Sequence, residues 1–185
     1  MSEFKVASRY AKSLLDLSRE QGQLERVKSD MEYFAKICEI NKDFIMLLKS
    51  PIVPTDKKHK VIEKIFKQYV SPLTFSIFEI TIRKKREDIL YAVSKEFISQ
   101  YNSMCNIKIA FAITPCELSE DLKNKITSIA QKLTQSKIIL SIKINPKIIG
   151  GLILRVDDLQ LDLSVLSHLN RMRTSFTSDS YISKL

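Results

Sequence analysis

The sequence predicts a mainly α protein, with an N-terminal six-helix bundle over residues 1–105 followed by a small α/β domain over residues 106–185. Apolar residues recur every three or four positions up to Cys105, which is typical of amphipathic helices. From Ile107 to Ile113 they recur at every second position, which is typical of a half-buried strand. Hydrophobic residues are 44% of the 185-residue chain, enough for two small cores.

The first four helices follow from spacing and from helix-ending signals. The apolar positions of the first two helices are Ala7, Tyr10, Ala11 and Leu14, then Leu24, Val27, Met31, Phe34, Ala35 and Cys38. A short third helix over residues 41–49 ends at Ser50, because a residue that precedes proline avoids the helical conformation. Thr55 is the expected N-cap of the fourth helix.

The fifth helix is the most unusual element of the bundle. Ser71 and Pro72 predict its start, with proline at the first helical position, where its missing N–H is not needed. Its apolar residues are Leu73, Phe75, Ile77, Phe78, Ile80 and Ile82. They surround most of the helix, so it must be buried on several sides or contacted by a partner. A sixth helix carrying Ile89, Val93, Phe97 and Tyr101 completes the bundle.

The second domain begins where the apolar period changes from about 3.6 to 2. In the first strand Ile107, Ile109, Phe111 and Ile113 alternate with Lys108, Ala110 and Ala112. Ser119 is the expected N-cap of a helix with Leu122, Ile126, Ile129 and Leu133 on its buried side. Strands follow over residues 138–144, 152–156 and 159–161. A last helix carries Val165, Leu169, Met172 and Phe176.

Charge and cysteine content restrict the functional classes. The formal net charge is +9, and 19 basic against 14 acidic residues precede Cys105 while 11 against 7 follow it. Because the excess positive charge is spread so evenly, it indicates a solvated exterior more strongly than it indicates a dedicated site for an anionic partner. Three cysteines without a CxxC pair predict neither a disulfide framework nor a zinc site. No apolar run is long enough to span a bilayer, and the N-terminus lacks an obvious export signal.

The residues predict no catalytic, cofactor or metal site. Three glycines cannot form a Walker A or GxGxxG loop. His59 and His168 lack a second ligand at metal spacing, so both are expected to be ordinary surface residues. Two basic runs, residues 57–60 (KKHK) and 83–86 (RKKR), leave a nucleic-acid-binding adaptor as the alternative function.

Several segments in order resemble the delta subunit family of bacterial F-type ATP synthases, related to the mitochondrial oligomycin sensitivity conferral protein. They are residues 7–14 (ASRYAKSL), 50–54 (SPIVP) and 84–90 (KKREDIL). The most specific segment is 145–156 (NPKIIGGLILRV), with its glycine pair, followed by 162–165 (DLSV). Two positions depart from the family pattern: Leu163 replaces a usual glycine, and a basic residue is missing after Val165.

This resemblance implies a non-catalytic stator connector that joins the catalytic head to the peripheral stalk, so that proton-driven rotation is coupled to ATP synthesis. It implies that the first domain binds the N-terminal helix of an alpha subunit and that the second binds a b-type stalk subunit. It also implies a peripheral location on the cytoplasmic face of a bacterial membrane, with indirect membrane association.

The resemblance further implies a groove between the first and fifth helices of the bundle. Carried over to this sequence, its residues are Tyr10, Ala11, Leu14, Ile77, Ile80 and Arg83. A partner helix lying in this groove would explain why the fifth helix is apolar around most of its surface. The alternative for each residue is an ordinary place in the bundle core.

Overall fold

The computed structural model describes residues 3–179, with side chains described for residues 3–176. It is mainly helical, with one small mixed four-stranded sheet, as the sequence predicts at this level. The chain divides into two compact units, Met1–Met104 and Cys105–Leu185. All helices before Cys105 lie in the first unit, and the sheet lies in the second.

The first unit contains helices joined by short turns. Their bounds are α1 Glu3–Glu20, α2 Leu24–Ile40, α3 Lys42–Lys49, α4 Thr55–Phe66, α5 Pro72–Arg83 and α6 Leu90–Met104, with a 3₁₀ turn at Glu87–Ile89. The predicted start of α5 is confirmed: Pro72 is its first residue, and the Ser71 side chain accepts a hydrogen bond from the backbone N–H of Thr74. The prediction for α4 is wrong, because Thr55 is already helical and Pro54 takes the N-cap position.

An aromatic cluster forms the centre of the first unit. Phe34 of α2 lies against Phe66 of α4 and Phe78 of α5, with ring centroids 5.1 and 4.8 Å apart. All three side chains are at most 1% exposed. Aromatic pairs at these distances add packing energy beyond the burial of their area. The cluster therefore fixes α5 against the centre of the unit.

The second unit is built on a sheet of order β2-β1-β3-β4. Its elements are β1 Ile107–Thr114, α7 Glu120–Thr134, β2 Lys137–Ile144, a 3₁₀ turn Pro146–Ile148, β3 Ile153–Val156, β4 Leu159–Asp162 and α8 Val165–Asp179. β1 and β2 are parallel and connected through α7, and the other neighbours are antiparallel.

One face of this sheet is covered by α7. The buried cluster comprises Ala110, Ala112, Leu154 and Val156 of the strands and Ile126 and Ala130 of the helix. Small alanines on β1 let the helix approach the sheet closely. The large residues of the predicted alternation point the other way, and Ile109 and Phe111 are exposed. The predicted buried side of α7 is also corrected, because Leu122, Ile129 and Leu133 are exposed.

Candidate partner-binding site

The predicted groove residues of α1 lie at different depths. Ala7, Ala11 and Leu14 occupy the buried stripe of the helix, and each is 0% exposed. Their spacing of four and three residues puts them on one face of an α-helix. Tyr10 lies beside this stripe and is half-buried. Of the predicted α1 residues, only Tyr10 thus has side-chain surface that a partner could contact.

A buried carboxylate positions the start of α5. Asp30 of α2 accepts hydrogen bonds from the backbone N–H of Ser71 at 2.7 Å and from the Thr74 hydroxyl at 3.0 Å. Asp30 is 4% exposed, so these bonds form with little competition from water. Helix N-termini leave backbone N–H groups without intrahelical partners. The Asp30 contacts satisfy one of them and tie α5 to α2.

The outer side of α5 differs from its inner side. Ile77 is 5% exposed and belongs to the core, whereas Ile80 is 43% exposed and Arg83 is also exposed. The helix packs against α1, α2 and α4. It is therefore buried on several sides, and Ile80 is its exposed large aliphatic side chain.

The chain reverses direction immediately after α5. Lys85 adopts a left-handed conformation with φ 54°, and its N–H donates to the carbonyl of Ile82 while the Arg86 N–H donates to the carbonyl of Thr81. This pair of bonds is the Schellman motif, which satisfies carbonyl groups at a helix C-terminus. The turn directs the basic segment 84–86 back toward α1.

This turn and α1 together form a cleft of about 590 Å³. Its lining residues are Glu3, Val6, Arg9, Tyr10 and Ser13 of α1, and Lys85, Arg86, Asp88 and Ile89 after α5. The lining has three cationic and two anionic side chains beside apolar ones. Of the six predicted site residues, only Tyr10 lines the cleft. The basic run 83–86 indicated two further lining residues, Lys85 and Arg86. By itself, however, such a run also fits an ordinary helix C-terminus.

A buried ion pair fixes the segment beneath this cleft. The Lys58 ammonium donates to Glu87 Oε1 at 2.7 Å and to the Leu48 carbonyl at 2.8 Å. Both side chains are less than 10% exposed, and Glu87 Oε2 has no hydrogen-bond partner among the described residues. Lys58 is thus a structural residue and does not contribute to a basic surface.

The basic run 57–60 is consequently a poor nucleic-acid site. Besides the buried Lys58, it contains His59, whose Nε2 lies 3.7 Å from a carboxylate oxygen of Glu79. Phosphate binding needs several accessible cations on one surface. Burial of Lys58 and the carboxylates beside His59 leave only Lys57 and Lys60 of this run as exposed cations, so within residues 3–179 this run gives the nucleic-acid alternative little support.

The described residues contain no cluster of three or more His, Cys, Asp or Glu side chains that could hold a metal ion. Burial raises the pKa of the Cys38 thiol to about 12, so it stays protonated and is a poor nucleophile. Among residues 3–179, no helix has the length and hydropathy needed to cross a membrane.

The glycine pair of the second unit joins two loops. Gly151 has φ +77°, and a Cβ added to it would lie 2.1 Å from the Leu163 carbonyl oxygen. The Val165 N–H donates to the Gly150 carbonyl at 3.0 Å, and the Leu163 N–H donates to the Leu152 carbonyl at 2.9 Å. Gly151 is needed because only glycine permits this close approach to the Leu163 carbonyl, and the hydrogen bond from Val165 to Gly150 holds the start of α8.

Comparison with known proteins decides the family. The family model described as ATP synthase delta (OSCP) subunit matches residues 6–176, which includes nearly all of both units. This chain belongs to that family. The resemblance drawn from the sequence motifs is therefore confirmed. Members of the delta (OSCP) family are non-catalytic subunits of the ATP synthase peripheral stalk.

Two curated members of the delta family match the chain along almost its whole length. The ATP synthase subunit delta of Cytophaga hutchinsonii is 38% identical over 96% of this chain and 97% of its own. That of Amoebophilus asiaticus is 35% identical over 97% of this chain and 98% of its own. A chain from the Toxoplasma gondii mitochondrial ATP synthase hexamer shares the fold, with a TM-score of 0.70 and 22% identity over 92% of this chain and 97% of that one.

Proposed function

We propose that this chain is the stator connector of a rotary F-type ATP synthase, with the first unit bound to the catalytic head and the second bound to the peripheral stalk. The observation that carries this proposal is the family match across residues 6–176, since it includes both binding units. The connector holds the head against rotation, so that proton-driven rotation of the central shaft is coupled to ATP synthesis. It has no reaction of its own.

The head contact that we propose is the N-terminal helix of an alpha subunit, lying across α1 and α5. We propose that these helices belong to a six-helix bundle of the family type. Tyr10, Ile80 and Arg83 supply accessible surface, while Ala11, Leu14 and Ile77 are buried in the unit. An amphipathic helix suits such a site, because its apolar side can cover Ile80 and its polar side stays in water.

The magnitudes show that the six predicted residues are not sufficient for this contact. Full burial of two apolar anchors contributes roughly 3 to 6 kcal/mol at about 1.5 to 3 kcal/mol each, and Tyr10 and Ile80 contribute less than this because both are already partly buried. Association costs at least about 4 kcal/mol in lost freedom. The adjacent cleft must therefore contribute, through Val6 and through the cations of Lys85 and Arg86. We place the partner helix along both Ile80 and the cleft.

We propose a b-type stalk subunit as the partner of the second unit, residues 106–185. Two contacts on one chain raise the effective concentration of each partner for the other, and tethering of this kind can strengthen binding by about 10² to 10⁴. The chain would then lie on the cytoplasmic face of a bacterial membrane as a peripheral protein. Its association with the membrane would pass through the rest of the complex.

Calorimetric titration tests the head contact directly. The full chain is titrated with a peptide that copies the N-terminal helix of the alpha subunit from the same genome, at moderate salt. We expect saturable one-to-one binding. Absence of binding by a chain with a cooperative unfolding transition would contradict the proposed head contact.

The Ile80→Glu variant locates that contact on α5. It places a charge at the centre of the apolar anchor, and we expect the affinity for the peptide to fall about 30-fold or more, as for a binding hot spot. Ile52→Glu is the matched control, because Ile52 is 90% exposed in the turn before α4. Binding of the stalk subunit should be unchanged in both variants, and its parallel loss in Ile80→Glu would indicate unfolding instead.

A further inference from the structure

The face of the sheet opposite α7 has no covering element in the described structure. Residues directly opposite one another on paired strands lie on the same face, and Ile109 pairs with Ile139 while Phe111 pairs with Ser141 and Arg155. We call the face that carries these residues the open face. Its members are Ile107, Ile109, Phe111 and Ile113 of β1, Lys137, Ile139, Ser141 and Lys143 of β2, Ile153 and Arg155 of β3, and Gln160 and Asp162 of β4.

The centre of the open face is apolar and in water. Ile109, Phe111 and Ile139 are 41%, 53% and 50% exposed, whereas Ala110 and Ala112 on the other face are 0% exposed. At Phe111, β1 has β2 on one side and β3 on the other, so the exposure of that ring arises above the sheet and not at its edge. Contiguous exposed apolar surface of this kind marks interaction sites on soluble domains.

Cations surround this apolar centre. Lys137 and Lys143 of β2 and Arg155 of β3 are exposed, and within the described part of the chain none of them forms an ion pair. The one acidic residue of the open face, Asp162, is already engaged: its carboxylate accepts hydrogen bonds from the Ser164 N–H and the Ser167 hydroxyl. The open face therefore offers uncompensated positive charge around an aromatic and aliphatic centre.

We infer that the open face binds an acidic amphipathic helix of the stalk subunit, an inference that rests on the proposed stalk contact of this unit. The apolar side of such a helix covers Ile109, Phe111 and Ile139. Its acidic residues pair with Lys137, Lys143 and Arg155. Interfaces gain specificity and association rate from this complementarity of charge.

The dimensions of the face fit one helix. The eight residues of β1 span about 26 Å at about 3.3 Å per residue, the length of a helix of about 17 residues. Strands about 4.8 Å apart make three strands about as wide as one helix with its side chains, which measures roughly 10 Å. One helix along β1 would therefore cover the apolar centre and leave its flanks beside the cations.

A second copy of this chain is a less suitable occupant. Pairing of two open faces would bring Lys137, Lys143 and Arg155 of both copies into one interface. Like charges in apposition oppose association, and the net charge of +9 adds to this repulsion. An acidic partner would instead form ion pairs with these three cations. The composition of the face thus favours a heterologous contact.

The test is titration of the full chain with the soluble portion of the b-type stalk subunit from the same genome. Phe111→Glu should weaken binding about 30-fold or more, as expected for a central aromatic anchor. Leu133→Glu is its matched control, because Leu133 is 55% exposed on α7 and should bind as the wild type does. Lys143→Glu should weaken binding severalfold at low salt and less at high salt, while Lys132→Glu on α7 should have little effect.

The outcomes separate this inference from the proposed function. No stalk binding by the wild-type chain would contradict the proposed stalk contact itself. Wild-type binding that Phe111→Glu and Lys143→Glu both leave unchanged would overturn the open face as the site while the proposed function stands. Lys143→Glu replaces an exposed side chain, so an unchanged thermal transition shows that its effect on binding is not unfolding.

Two further measurements test the occupant. Sedimentation should show a monomer, and a dimer that Phe111→Glu dissociates would assign the open face to self-association. Vesicles with phosphatidylglycerol should bind the wild type and Phe111→Glu equally weakly. Vesicle binding that Phe111→Glu abolishes would overturn the helix in favour of an anionic lipid surface.

Discussion

The two units of this chain use apolar residues in opposite ways. In the first unit, helices surround a closed core, and the largest fully buried side chains among the described residues all lie there, including Phe34, Phe66 and Phe78. In the second unit, the single helix α7 covers one face of the sheet, and three of the six buried cluster residues are small alanines. Phe111 and Phe176 of this unit are exposed. The largest fully buried side chains therefore belong to the first unit, whereas the second leaves Phe111 and Phe176 exposed.

Truncation of one phenylalanine in each unit gives the largest expected contrast. Phe34→Ala removes a ring that contacts three aromatic neighbours, and loss of a buried phenylalanine costs about 3 to 5 kcal/mol. Phe111→Ala removes a half-exposed ring, and we expect a cost below about 1 kcal/mol. Hydrogen exchange resolved by residue reports the stability of each unit separately. Equal loss from both variants would contradict the division into a closed and an open unit.

Glycine substitutions should affect the two units differently, with a smaller effect than the phenylalanine truncations. Gly22 and Gly151 both have positive φ, but an added Cβ at Gly22 meets nothing within 4 Å, while at Gly151 it would meet the Leu163 carbonyl oxygen. Gly22→Ala should cost only the left-handed strain of about 1 to 2 kcal/mol. Gly151→Ala should cost more and should release the start of α8.

Amide exchange of α8 measures that release. In Gly151→Ala we expect faster exchange at the first residues of α8 and unchanged protection in α1 to α6. Gly22→Ala should leave α8 unaffected. If α8 exchanged equally in the two variants, the glycine pair would not be what anchors it.

The elements were predictable because their signals are local. Ser71 and Pro72 marked the start of α5, and the change of apolar period marked the first strand of the sheet. The buried face of β1 was not predictable in this way. Alternation shows that a strand has two different faces, but the covering helix lies on Ala110 and Ala112 and leaves Ile109 and Phe111 exposed. Hydrophobicity alone favours the opposite arrangement.

The candidate site was predictable only in part, for a related reason. Helical spacing placed Ala11 and Leu14 on the correct face of α1, but it does not distinguish a groove from a core, and both residues are buried. The cleft depends on the left-handed turn at Lys85. A lysine in that conformation carries no sequence signal, since glycine is the usual residue there. Lys58 was equally hidden, because its partner Glu87 is 29 residues away.

The smallest predicted effect concerns the pH dependence of the α8 anchor. The Ser167 hydroxyl, followed by the Ser164 N–H, lowers the pKa of Asp162 below its ordinary value of 3.8. A carboxylate whose pKa is lowered in the folded state stabilises that state above its unfolded pKa, and the contribution is lost as pH falls through the folded pKa. Below about pH 3.8 the first turn of α8 should therefore exchange faster. Asp162→Asn should remove this local pH dependence, and its persistence in that variant would assign the effect to another carboxylate.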